Sequence, residues 1–268
     1  MGLFTGKGVS ISLLPAPENT GIVFRQTGGG KKFFLPALLP YVKRTPRCTS
    51  LELSGTFNVM TVEHLLSAIH AYEITNLFID VDGPEIPVGD GSSHLFVEMI
   101  EKSGVCFQEQ CNQVYKIQKP IHWTDGTTLI IGLPSEEYRI SYTMHYPHSS
   151  FLRSQYYSFQ VDSKSYKEEI ATCRTFSLYE EIAPMLENGL LKGMGLENGV
   201  VIKDNAVMNP GGLRFPDEMV RHKILDLMGD LSLIGKLFLG HVIAIRSGHY
   251  SNVAFAKLLM EHFMEKGS

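Results

Sequence analysis

Hydrophobic and polar positions follow two different periods along this chain, and the switches between them mark its elements. Residues 8–14 alternate with period two, and so does 21–25 after a turn beginning at Pro15, so the two predict a hairpin. Similar runs predict strands near 48–53, 76–82, 114–118, 127–133, 139–145, 155–161 and 237–246, with two short strands inside 189–208 that turn at Asp204-Asn205. Helical spacing covers 61–72, where Thr61 is the expected N-cap and Leu65, Ala68, Ile69 and Tyr72 form the apolar stripe. It recurs at 93–102, with Phe96, Met99 and Ile100 inward and a stop near Gly104, and again at 166–170 and 177–187. A long helix is opened by Pro216-Asp217 and closed by Gly235, and a last one runs to about residue 265 after a turn at 247–251. Three prolines leave 35–46 as irregular connection. The glycine run at 28–30 lacks the spacer of a phosphate loop, and Lys31 is followed by lysine, so a flexible turn is expected there.

The order of these elements repeats. A helix containing His64, a strand at 76–82, a loop at Asp90-Gly91-Ser92 and a helix come first; a helix containing His222, a strand at 237–246, a loop at Gly248-His249 and a helix come second. His64 and Asp90 are 26 residues apart, and His222 and His249 are 27 apart. The chain is therefore read as an α+β protein with two domains of duplicated topology, each a sheet layered against helices, whose histidine-bearing helices meet face to face. A polar stretch places the boundary near residue 112, giving domains 1–112 and 113–268.

Bulk properties narrow the function. With 44% hydrophobic and 19% charged residues, the 268-residue chain has the composition of an ordinary globular protein. A net charge of −4 without basic clusters excludes nucleic acid as a partner. Cys48, Cys106, Cys111 and Cys173 show no zinc-finger spacing and read as free thiols in a reducing compartment. No stretch is apolar for the ~18–20 residues of a membrane span, the N-terminus lacks a signal pattern, and Gly6 stands where myristoylation needs a hydroxyl residue, so a cytoplasmic location is expected.

The candidate chemistry lies on the repeated helices. His222 and Asp226, four residues apart, share one face with β-carbons ~6 Å from each other, close enough to bind one metal ion. Such a spacing is common by accident, and Asp230 on the same stripe reads equally well as a solvated edge. Duplication changes the balance by bringing His64 toward the pair, with Asp90 and His249 approaching the same cleft. Two ligands from one helix and a third from another form the pattern of a catalytic zinc that keeps a position open for water. Glu63 then reads either as a carboxylate favoured by the helix dipole or as a general base. Lys223 adds a cation to the same crevice.

Five separated motifs carry a resemblance over essentially the whole chain: Thr61-Val-Glu-His-Leu-Leu-Ser-Ala, Pro84-Glu-Ile-Pro-Val-Gly-Asp-Gly-Ser92, Arg174-Thr-Phe176, Arg221-His-Lys-Ile-Leu-Asp226 with Gly229-Asp-Leu231, and Ser247-Gly-His249. In this order they closely resemble the UDP-3-O-acyl-N-acetylglucosamine deacetylases, which carry out the committed step of lipid A synthesis in Gram-negative bacteria. The resemblance implies His64, His222 and Asp226 as zinc ligands and Glu63 as general base. It implies His249 as the proton donor to the leaving amine, Asp90 as the carboxylate orienting that histidine, and Thr175 as an oxyanion donor. Asp230 would support the site, Lys223 would contact the substrate and Phe176 would flank its sugar. The 189–208 segment matches a small insert forming a passage for the acyl chain, with Leu191, Met194, Leu196 and Val200 as its expected lining. Zn2+ is the implied metal, and Fe2+ suits the same donor set. The implied partner is a UDP-linked acylated amino sugar, with transient contact to a membrane surface, and the chain is expected to act as a monomer.

Two positions depart from the family pattern. The family's Gly-Leu-His-Ser-Gly turn reads Gly2-Leu3-Phe4-Thr5-Gly6 here, and the strand that usually precedes it is missing, which predicts an unpaired sheet edge. Met194 stands where the insert usually has glycine, with an expected effect on the shape of the acyl passage. Two other readings stay open on sequence grounds: a zinc amidohydrolase for a different N-acyl amino sugar, and a silent relative that only binds. The latter has no need of Glu63 and His249.

Overall fold

Two helices that the sequence reads as partly exposed are instead almost wholly buried. The computed structural model describes residues 1–27 and 33–265, so the turn expected at 28–32 lies outside the described residues. The elements are β1 (Ser10–Pro15), β2 (Ile22–Gln26), β3 (Phe34–Pro36), a 3-10 turn (Leu39–Tyr41), β4 (Val42–Lys43), β5 (Ser50–Leu53), β6 (Phe57–Met60), α1 (Glu63–Ala71), β7 (Leu77–Asp82) and α2 (His94–Ser103). There follow β8 (Val114–Lys116), β9 (Ile121–Thr124), β10 (Leu129–Leu133), β11 (Tyr138–Tyr146), β12 (Arg153–Gln160), α3 (Ser163–Glu169), β13 (Phe176–Leu178) and α4 (Tyr179–Glu187). The chain continues with β14 (Val200–Lys203), β15 (Ala206–Val207), α5 (Glu218–Ser232), β16 (Leu237–Ile245) and α6 (His249–Met264).

The duplication extends to strand pairing. In the first sheet, of order β1-β7-β2-β3, β7 runs antiparallel to β1 and parallel to β2, and β2 runs antiparallel to β3. In the second, of order β12-β11-β16-β10-β9, β16 runs antiparallel to β10 and parallel to β11, and β11 runs antiparallel to β12. The expected hairpin of β1 and β2 is therefore wrong, because β7 inserts between them just as β16 inserts between β10 and β11. Local alternation identifies strands but not neighbours, and a non-local strand takes the central position because it is apolar enough to be flanked on both edges. The strands of the first sheet all precede residue 112 and those of the second all follow it. Prolines at 36, 40 and 46 hid β3 and β4, which are three and two residues long.

All nine residues of α1 are buried, including Ser67 and His70, so this helix has no solvent face. Ser67 accepts a hydrogen bond from Tyr166 at 2.9 Å. Thr61 does not cap the helix. Its φ is +59° and its hydroxyl donates to Glu85 Oε1 at 3.1 Å, leaving Val62 at the cap position. A β-branched residue in the left-handed region is strained, and the strain sits two residues before Glu63.

Helices α1 and α5 cross where Gly229 meets the backbone of Glu63. A β-carbon at 229 would lie 2.1 Å from the Glu63 carbonyl oxygen, so only glycine permits this approach. Around the crossing, Leu65, Leu66 and Ile69 join Leu225, Met228 and Leu231 in one apolar core shared by both repeats. Replacing Gly229 with alanine is expected to destabilise the protein by roughly 2 kcal/mol or more and to lower Tm by about 4–8 °C in thermal denaturation.

Candidate active site

Residues on α5 repeat a polar side chain every four positions: Glu218, His222, Asp226 and Asp230, each at most 4% exposed. The stripe thus lies inside, which excludes the alternative of a solvated edge, and each member has a partner. Glu218 accepts from the Arg174 side chain at 2.8 and 3.1 Å and from the amides of Arg174 and Arg214. Burial acts to raise its pKa, but the Arg174 guanidinium and the two amides outweigh this and hold the carboxyl below its usual range. Through this pair the Arg174-Thr175-Phe176 segment is fastened to the start of α5.

One turn on, His222 Nδ1 donates to the Cys173 carbonyl at 3.0 Å, which places a proton there and turns Nε2 toward Asp226. That Nε2 lies 3.2 Å from Asp226 Oδ1, and His64 Nε2 lies 3.7 Å from the same oxygen. The imidazole rings of His64 and His222 are 4.9 Å apart and perpendicular. Ligand atoms of all three side chains lie within 4.8 Å of one another. Tetrahedral ligands at ~2 Å from an ion sit about 3.3 Å apart, so the donor set fits a divalent metal without large movement. Lys223 donates to Asp226 Oδ2 at 2.8 Å, leaving Oδ1 toward the histidines. Burial would raise Asp226, yet His222 and Lys223 hold it well below the usual carboxylate range, while burial lowers His64 and so keeps it neutral. A charged Asp226 and a neutral His64 are the protonation states that metal binding requires of those two groups.

The fourth side chain of the stripe, Asp230, accepts from Asn252 Nδ2 at 2.8 Å and from His249 Nδ1 at 2.9 Å through Oδ2. The carboxylate held against His249 is therefore Asp230, not Asp90. Asp90 bonds the amide and hydroxyl of Ser92 at 3.1 and 2.6 Å and pairs with Arg214 at 2.7 Å. The resemblance implied Asp90 in this role; the structure instead holds Asp90 in the loop before α2, while His249 is the first residue of α6. His249 Nε2 faces Glu63 Oε1 at 3.8 Å. Burial opposes a charge on His249, but Asp230 and Glu63 raise its pKa to about 10, so it carries its proton at neutral pH. Burial pushes Glu63 up to about 8, against the pull of His249, placing its proton affinity near neutrality. A buried carboxyl of raised proton affinity and a buried, protonated imidazole thus flank a metal-sized donor set.

Thr49 went unnoticed in the sequence. It is 2% exposed, its amide donates to Glu63 Oε2 at 3.0 Å and its hydroxyl donates to Asp230 Oδ1 at 2.5 Å. No spacing rule links residue 49 to 63 or 230; only the β4–β5–β6 meander brings it there.

The remaining candidates divide. Thr175 is half-buried beside the site; its amide donates to the Gly91 carbonyl at 2.8 Å and its carbonyl accepts from Val200 at 2.7 Å. Phe176 packs 6.0 Å from the Tyr146 ring, with Lys223 Nζ 5.6 Å from its centre. Leu191 forms a small apolar cluster with Ile182 and Val201, joined by Leu3, Phe4, Met185 and Met194. Both departures from the family pattern, Phe4 and Met194, thus meet in one cluster. Val200 is fully buried in the main core and Leu196 is 42% exposed, so neither joins that cluster; alternation along β14 turns Val201 toward it instead. All four cysteines are free, and among the described residues no helix is long and apolar enough to cross a membrane.

Comparison with known proteins points to one family. Residues 1–261 match a family model described as UDP-3-O-acyl N-acetylglycosamine deacetylase. A UDP-3-O-acyl-N-acetylglucosamine deacetylase from Chlamydia pneumoniae is 47% identical over 262 residues, covering 97% of this chain and 93% of that protein. The proteins of the same name from Chlamydia felis and Chlamydia trachomatis serovar L2 are each 44% identical, covering 97% of this chain and 92% and 91% of their own lengths. Asp226→Ala is expected to lower the metal retained per chain roughly tenfold or more, because it removes one of the three candidate ligands and leaves Lys223 facing two imidazoles; elemental analysis of the purified variant measures this.

Proposed function

The chain belongs to the UDP-3-O-acyl N-acetylglycosamine deacetylase family, and from that premise we propose that it hydrolyses the acetamide of UDP-3-O-acyl-N-acetylglucosamine, releasing acetate and a free amine for lipid A synthesis. The observation that carries this reading is the meeting of His64, His222 and Asp226 between Glu63 and His249, side chains drawn from both repeats. His64, His222 and Asp226 would hold the metal, which we take to be zinc, with Fe2+ suiting the same donors. When bound, the metal supplies Lewis-acid polarisation of the amide carbonyl and lowers the pKa of the attacking water.

The protein's own groups supply the proton movements. Glu63 takes a proton from the attacking water at Oε1, since Oε2 is held by the Thr49 amide. The Thr175 hydroxyl donates to the oxygen on which negative charge develops. His249, cationic at neutral pH, gives its Nε2 proton to the nitrogen as the C–N bond breaks, so that an amine leaves rather than an amide anion. Asp230 stabilises the cation before that transfer and keeps the ring oriented after it. Asp90, paired with Arg214, shapes the rim through the loop that contacts Thr175.

Lys223 and Phe176 form a cationic and an aromatic surface suited to the substrate's sugar. Leu191 and Met194, with Phe4, line the acyl passage, while Leu196 stands at its mouth. Exposed Leu190 and Leu196 support transient contact of this region with a membrane surface during capture of an acylated substrate. The enzyme acts in the cytoplasm and as a monomer in this reading.

Acetate release from the UDP substrate, with and without its 3-O-acyl chain, tests the proposal; no release from either by the metal-loaded protein would sink it. Glu63→Ala and His249→Ala are each expected to lower kcat by roughly a hundredfold or more while metal content stays at the wild-type level. Near-normal turnover in either variant would remove that residue from the mechanism.

A further inference from the structure

Thr49 touches three groups of the site at once, and its bonding pattern is directional. Its hydroxyl has one hydrogen, given to Asp230 Oδ1 at 2.5 Å. At the 3.2 Å contact with His249 Nδ1 the same oxygen can then only accept. Nδ1 therefore bears the hydrogen, shared between Thr49 Oγ1 and Asp230 Oδ2, and Nε2 is turned toward Glu63. On the other side, the Thr49 amide occupies Glu63 Oε2 at 3.0 Å and leaves Oε1 as the oxygen facing His249. We propose that Thr49 is a positioning residue that sets the base and the acid relative to one another, holding Glu63 through its amide and the His249–Asp230 pair through its hydroxyl.

The physical reason for such a device is the origin of the groups it joins. Glu63 comes from α1, Asp230 from α5 and His249 from α6, so their separation depends on how three helices dock. A single residue bonded to all three fixes that separation at the point where a small error in proton-transfer distance is costly. Asp230 is completely buried, and Thr49 and Asn252 complete its bonding around His249. Removing the hydroxyl would leave Asp230 Oδ1 short of a donor and free the ring to tilt.

The inference rests on the deacetylase reading above, and the test separates the two. Thr49→Val keeps the amide and the shape but removes the hydroxyl; Thr49→Ser keeps both donors. In the metal-loaded enzyme, Thr49→Val is expected to lower kcat by roughly 10- to 100-fold, with KM within about threefold and metal content and Tm near wild type. Thr49→Ser is expected to retain kcat within about threefold of wild type. The His249 Nδ1–H resonance, followed by 1H–15N NMR, should shift in Thr49→Val and stay in place in Thr49→Ser. If Thr49→Val precipitates, Thr49→Ala takes its place, since it also keeps the amide. A valine variant with kcat within about twofold of wild type, a serine variant as impaired as the valine one, or loss confined to Tm and metal content would overturn the proposal. If the wild-type protein releases no acetate, the deacetylase reading fails, while the NMR resonance still decides the role of Thr49.

Discussion

Everything in this molecule depends on the close crossing of α1 and α5 at Gly229. The glycine lets the Glu63 carbonyl approach within a distance that any side chain would block. That approach brings His64 within metal-binding reach of His222 and Asp226, and it sets Glu63 opposite the start of α6. The two helices bury their apolar side chains in one core that also contains residues of both sheets. The site is thus a product of the duplication's symmetry, with one helix from each half meeting at the centre.

A crossing of this kind would be unfavourable if its polar residues were left alone. Glu63, His64, His222, Asp226 and Asp230 are each at most 5% exposed, and an uncompensated buried charge costs several kcal/mol. The structure offsets that cost by pairing: Asp226 with Lys223, Asp230 with His249, Thr49 and Asn252, and His222 with the Cys173 carbonyl. The same pairs set the protonation states. A buried carboxylate beside a lysine stays charged, one lacking such a partner rises toward neutrality, and a histidine against a buried carboxylate keeps its proton. Stability and chemistry are therefore consequences of one hydrogen-bond network.

The periphery shows how the rest of the chain serves that centre. Arg174 binds Glu218 at the first turn of α5 and so carries Thr175 and Phe176 to the rim. Gly91 approaches the Asn198 carbonyl so closely that a β-carbon would lie 2.2 Å from it, which ties the Asp90 loop to the inserted segment. Phe4 and Met194 meet beside Leu191, so the two departures from the family pattern alter one apolar surface together.

Sequence alone determined the types of the longer elements, the duplicated order and the candidate metal ligands. Period-two and period-3.6 patterns are local, and His222 and Asp226 share a helix face whatever surrounds them. The motifs around Glu63, His64 and His249 were legible because each lies within a short contiguous stretch. Tertiary structure alone decided the rest. The β7 strand lies between β1 and β2 because pairing joins residues distant in sequence, which alternation cannot rank. Asp230, rather than the Asp90 that the resemblance implied, holds His249 because helix docking sets side-chain partners. Thr49 carries no motif, and its three bonds exist only because a short meander and three helices converge on it.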